Sequence, residues 1–228
     1  MKLSRPSALA GAASLACMVA VGAAIGVALS SMATVPAYAA AGGLDLTFGT
    51  GGTVTTSAHY IGSAPPPAVL IQPNGEIVVI AELTDPATDG DFGAVRYQAN
   101  GTLDASFGTS GEATASFTNF INTPNDAALQ PNGDIVVVGD AENATDTVNE
   151  FALARFTAAG TLDRSFGTGG KVTTSFGGVL NPATAVLVQP NGDILVGGSD
   201  LKAAKTRTLT ALARYTPHGS LDTSFGSG

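Results

Sequence analysis

Three arginines recur at one spacing from three aspartates, and these are the first residues in the sequence that can do chemistry. Arg96, Arg155 and Arg214 each precede an aspartate (Asp104, Asp163 and Asp222) by eight residues. A guanidinium fork holds a carboxylate through two hydrogen bonds while its stem packs on apolar neighbours. One reading is a ring of Arg–Asp sites for an anionic or sugar ligand. The structural reading is an ion pair that ties a strand to the turn after it, and recurrence in every copy favours it. Phe48, Phe107, Phe166 and Phe225 each stand between Ser or Thr and Gly. They can stack a sugar, but their repetition reads more simply as packing between neighbouring units.

The remaining candidates lie in variable connections, where binding groups usually sit on a rigid scaffold. Asp85, Asp89 and Asp91 are hard oxygen donors of the kind calcium takes, but no full calcium-loop motif surrounds them. The next connection holds Asp140, Glu142, Asp146 and Glu150, and the third instead mixes Asp200 with Lys202, Lys205 and Arg207. That change of sign can steer one chain onto another. Catalytic groups are sparse. His59 and His218 do not recur, no nucleophile-elbow motif is present, and the single Cys17 lies in the apolar leader. No catalytic residue, metal site or cofactor is assigned. Paired loop carboxylates leave glycoside hydrolysis or lysis open as the alternative to a binding or structural module.

The elements that position these residues repeat. Leu-Asp-x-(Ser/Thr)-Phe-Gly begins at Leu44, Leu103, Leu162 and Leu221, in steps of 59 residues. Gln-Pro-Asn-Gly begins at Gln72, Gln130 and Gln189. Within the second copy, short strands are predicted near 112–117, 126–130, 134–140 and 150–157. Pro-Asn-Gly supplies the fixed φ, the tolerant corner and the left-handed residue of a short hairpin between the middle two. The runs that follow, such as Ile135-Val136-Val137-Val138, do not alternate apolar with polar, so both faces are expected to be covered. Covered four-stranded antiparallel units are stacked blades, and the fold class is all-β.

These motifs resemble the delta-60 repeat family of bacterial secreted and surface proteins, and the strand order is similar to NHL-type propellers. The resemblance rests on the Leu-Asp-x-(Ser/Thr)-Phe-Gly segments, the Gln-Pro-Asn-Gly-(Asp/Glu)-Ile turns and Ala-Leu-Ala-Arg-(Phe/Tyr) at residues 152–156 and 211–215. It implies a β-propeller and an extracellular location, and brings no established activity or catalytic residues. Repeats of about 44–102, 103–161 and 162–220, with the start of a fourth at 221–228, are fewer than the four to eight blades of a closed single-chain propeller. One expectation is that two chains close a six-bladed ring by exchanging an outer strand near 53–57. The other is a truncated array.

Residues 1–39 read as a secretory signal: Lys2 and Arg5, an uncharged apolar stretch, then Ala37-Tyr38-Ala39 before cleavage ahead of Ala40. An uncleaved leader would instead anchor the chain in a membrane. The domain that remains, 40–228, carries 8 bases against 18 acids, a charge of −10. This balance disfavours nucleic acid, whose phosphates need clustered bases. A glycan, a protein or a second copy of the chain is the expected partner.

Overall fold

The structure, a computed structural model, describes residues 42–57, 67–84, 90–117, 121–142, 148–202 and 207–226. Among them every regular element is a β-strand. Blade I comprises β1 (Val69–Ile71), β2 (Ile77–Leu83), β3 (Asp91–Tyr97) and β4 (Glu112–Ala115), hydrogen-bonded in that order. Blade II repeats it with β5 (Asn122–Leu129), β6 (Ile135–Glu142), β7 (Asn149–Phe156) and β8 (Lys171–Thr174). Blade III has β9 (Ala183–Val188), β10 (Ile194–Leu201) and β11 (Thr208–Tyr215). All strand pairs are antiparallel.

The blade is offset from the sequence repeat. Residues 112–115 open the second copy of the sequence but pair with β3, closing blade I. Residues 171–174 close blade II in the same way. Each sequence repeat therefore straddles two sheets, which stitches successive blades together through the main chain.

The two-sided burial of the middle strands has a simple geometry. Side chains alternate across a strand. Ile135 and Val137 of β6 join a core cluster with Val78, Ile80 and Phe92 of blade I. Val136 and Val138 point the other way, into a cluster with Ile194, Val196 and Tyr215 of blade III. The continuous apolar run is needed because both sheet faces are cores. Edge-on ring pairs, Phe92 with Phe117 (4.9 Å) and Phe151 with Phe176 (4.8 Å), seal blades I and II near their outer strands.

The hairpins follow from local chemistry. In Gln130-Pro131-Asn132-Gly133, the Gly133 amide donates to Gln130 O (2.9 Å), and the Gln130 amide donates to Asp134 O (2.8 Å). Gly133 has φ of +87°, which L side chains adopt only under strain. The Asn132 side chain accepts from the Asp134 amide at 3.2 Å, fixing the corner.

Candidate functional site

The recurring residues meet at the joints between blades. Arg96 donates from Nε to Asp104 Oδ2 at 2.8 Å, and its Nη2 lies 2.6 Å from the same oxygen. Arg155 holds Asp163 with the same two distances. Arg214 repeats them with Asp222. The strand that carries each arginine continues into a turn, and the aspartate returns below it: the Asp104 and Asp163 amides donate to the Arg96 and Arg155 carbonyls.

The remaining guanidinium donors reach into the next blade. Arg96 Nη1 donates to Ala158 O at 2.8 Å, and Arg155 Nη1 donates to Pro217 O at 2.6 Å. Both acceptors lie 62 residues further along the chain. The same nitrogens bond Gln72 Oε1 and Gln130 Oε1, each at 3.2 Å. Gln72 Nε2 in turn donates to Gly133 O and Ala158 O. At Gln72 and Gln130 the first residue of the Gln-Pro-Asn-Gly turn is thus a joint residue. Its recurrence was visible in the sequence, but its partner lies too far along the chain for spacing to reveal.

The phenylalanines complete the joint. Phe107 and Phe166 are fully buried. Arg96 and Arg155 lie over their rings, 4.8 and 4.7 Å from the centroids, within cation–π range. Arg214 sits 4.7 Å over the half-buried Phe225. The glycine after Phe107 and after Phe166 receives the next blade: Gly108 N donates to Ala159 O (2.9 Å) and Gly167 N to His218 O (2.8 Å). A Cβ on Gly108 would lie 2.1 Å from Glu112 O, so the site takes glycine for space as well as for its φ of +52°. His218 contributes its main-chain carbonyl, which explains how Ala159 can fill the same place.

The carboxylates are held below the ordinary aspartate range. Hydrogen bonds from the Ser106 hydroxyl and amide, with Arg96, hold Asp104 below the ordinary aspartate value of 3.8. Burial pushes most strongly on Asp163, upward, but Ser165 and Arg155 together carry it below 3.8. Asp222 is lowered by Ser224 first and then Arg214. A recess of about 420 Å³ lies over the second joint, lined by Gln130, Asn132, Asp134, Arg155, Asp163 and His218. Arg155, at 7% side-chain exposure, spends its fork inside the protein, so the recess presents no free cation to a ligand.

A second polar network ties blades II and III at the opposite strand ends, and no sequence motif announced it. Asn125 Nδ2 donates to Asp140 Oδ1 and to Ala183 O, both at 3.0 Å, and Asn149 Nδ2 donates to Asp140 Oδ2 at 2.9 Å. Burial, reinforced by the Asp140 charge, holds Glu82 above the usual glutamate value. Of the three calcium candidates, Asp85 and Asp89 lie outside the described residues, as does His59. Asp91 opens β3 at 2% exposure. Among the described residues no three His, Cys, Asp or Glu side chains cluster as metal ligands.

Three stacked antiparallel sheets, joined by one repeated side-chain clamp and offset from the sequence repeat, are the blades of a β-propeller-type repeat protein. Residues 72–107, 130–166 and 189–225 each match the family model described as Domain of unknown function (DUF5122) beta-propeller. No curated protein and no solved structure matches the chain.

Proposed function

We propose that the chain is an exported, non-catalytic β-propeller module of the delta-60 type that binds a glycan or protein, or serves as a structural element, outside a bacterial cell. One observation carries the non-catalytic part: at the two interior joints the recurring arginines and aspartates are consumed in holding blades together. At the second joint Arg155 uses Nε, Nη1 and Nη2, and Asp163 Oδ1 takes both the Ser165 amide and hydroxyl. Recognition then falls to the connections that differ between blades, as on other rigid scaffolds. The leader at 1–39 supports export, and recovery of an exported product beginning at Ala40 tests it.

A glycan-array screen followed by incubation of each hit tests the module. Binding with the glycan recovered intact is expected, and cleavage abolished by one Asp or Glu substitution would replace the module with an enzyme. The glycoside-cleaving alternative draws on Glu82, a carboxyl that burial biases toward its protonated form beside Asp140. Asp140 already accepts an amide on each oxygen, so it is poorly placed to activate water. Glu82→Gln is therefore expected to leave any glycan binding intact and no turnover to lose.

A further inference from the structure

The outer faces of blades I and III carry complementary halves of the joint that the interior builds twice. On blade III, Leu187 is 67% and Leu212 50% exposed. The registers place both opposite Val186, Ala211 and Ala213, which pack toward blade II. The counterpart of Leu212 one period earlier, Leu153, is fully buried against blade III. On blade I, Val69 is 63% exposed. Counted from the Gln-Pro-Asn-Gly turns, its counterparts Ala127 and Val186 are buried against the preceding blade.

The polar halves divide in the same way. Gln189 Oε1 is buried with no hydrogen-bond partner among the described residues, whereas Gln130 Oε1 accepts from Arg155. Arg214 keeps its aspartate and its phenylalanine, yet its side chain is 27% exposed against 7% for Arg155. The segment at 42–57 carries the half of a joint that precedes blade I. Gly49 N donates to Asn100 O at 2.8 Å, the bond that Gly108 and Gly167 make in the interior joints. Phe48 lies under the Gly101 turn. Asp45, however, accepts from Thr47 and, among the described residues, has no arginine.

The strand count completes the match. β4 and β8 close blades I and II, while the outer edge of β11 has no partner strand among the described residues. Residues 53–56 are the counterpart of β4 and β8 in the sequence period, and 54–56 belong to no ladder. An open edge is a template for an added strand.

We propose that a second copy of this chain supplies that strand, residues 53–57 of one copy adding antiparallel to β11 of the other. The β7–β8 register, carried forward by one period, sets Leu212 opposite Val54 and Thr210 opposite Thr56 of the second copy. Residues 44–49 enter the joint with the strand they precede, so Asp45 replaces Asp222 on Arg214. The 98–101 turn then brings the Ala99 carbonyl to Arg214 Nη1, the place that Ala158 and Pro217 fill inside the array. An unrelated apolar partner would cover the leucines but supply neither the ladder nor the carboxylate. Each joint is heterologous, and a twofold axis makes two of them. This proposal is independent of whether the module binds a glycan.

Native mass spectrometry of the full chain, as its host processes it, tests the exchange beside Thr56→Pro. The Arg155 N to Gly170 O bond sets the phase of the β7–β8 ladder, which makes Thr210 and Thr56 a hydrogen-bonded pair in the exchanged sheet. Proline removes that donor, and Thr56 belongs to no ladder among the described residues of its own copy. The wild-type chain is expected at twice the mass of one chain. Thr56→Pro should raise the dissociation constant about tenfold or more with an unchanged far-ultraviolet circular dichroism spectrum. Asp45→Asn should weaken the pair more than Asp222→Asn. A wild-type chain of single mass, a ladder of larger species, or a pair indifferent to Thr56→Pro would overturn the exchange, and the reverse order of the two aspartate variants would overturn the replacement of Asp222.

Discussion

Arg155 and Arg214 occupy the same place in successive repeats, and the difference between them shows what holds the blades together. Both grip an aspartate eight residues on and both cover a phenylalanine ring. Arg155 also bonds Gln130 and the Pro217 carbonyl of the next blade, and its ring partner Phe166 is fully buried. Among the described residues Arg214 has only the local half, with Phe225 half-buried. An exposed ion pair contributes little, because water screens it and the side chains lose freedom. A buried pair costs several kcal/mol to break, because the surviving charge is stranded. The strength of the clamp thus comes from the following blade, which excludes water and supplies the last acceptor.

The largest effect that tests this difference is truncation of the rings. Phe166→Ala is expected to destabilise the array by about 3–5 kcal/mol, and Phe225→Ala by about 1–2 kcal/mol, in chemical denaturation of the Thr56→Pro chain. Comparable losses would show that the next blade adds nothing. Removing the cations comes next. Arg155→Ala should lower stability by about 3 kcal/mol, since it leaves Asp163 and Gln130 without their partner, while Arg214→Ala should cost about 1 kcal/mol or less. A melting temperature unchanged by Arg155→Ala would rule out the clamp.

The smallest effects are those of pH, and their signs differ at the two extremes. Asp104, Asp163 and Asp222 are held below 3.8, so their contribution is present above that pH and is lost as the pH falls through their lower folded values. Thermal melts should be level from neutrality to about pH 4 and decline below it. Tyr215 moves the other way. Burial lifts its phenol from 10.0 to about 12, opposed in part by a 2.8 Å bond to Thr174 Oγ1. Its contribution is complete below pH 10 and disappears as the pH rises toward 12. Tyr215→Phe should flatten this alkaline decline, and a decline of unchanged steepness would place its cause elsewhere.

Much of the fold was legible because its determinants are local. Pro131-Asn132-Gly133 specifies a hairpin within its own residues, and Ile135-Val136-Val137-Val138 declares two covered faces by failing to alternate. The eight-residue spacing of Arg and Asp is likewise short enough to read as one turn. The rest depends on partners that sequence spacing does not link. The pairing of 112–115 with β3 crosses the repeat boundary, and the one sign of it in the sequence was the reading of 53–57 as an outer strand. Gln72 recurred without an evident task because its acceptors are Gly133 and Ala158. The Asn125–Asp140–Asn149 network lies where the copies diverge, so repetition gave no signal for it.

The clamp reads its neighbour through main-chain oxygens: Ala158, Ala159, Pro217 and His218 all contribute carbonyls. A repeat therefore places almost no demand on the side chains of the turn that follows it. The clamp itself is therefore indifferent to which unit lies downstream, provided that unit keeps the glycine of its turn, and the match between neighbours is set by the apolar faces of the middle strands. Unequal recombination in register would lengthen or shorten such a gene without breaking a joint. The protein is in this sense built from cassettes with a common clamp, and new arrays made by permuting whole repeats would need only the apolar faces between blades redesigned.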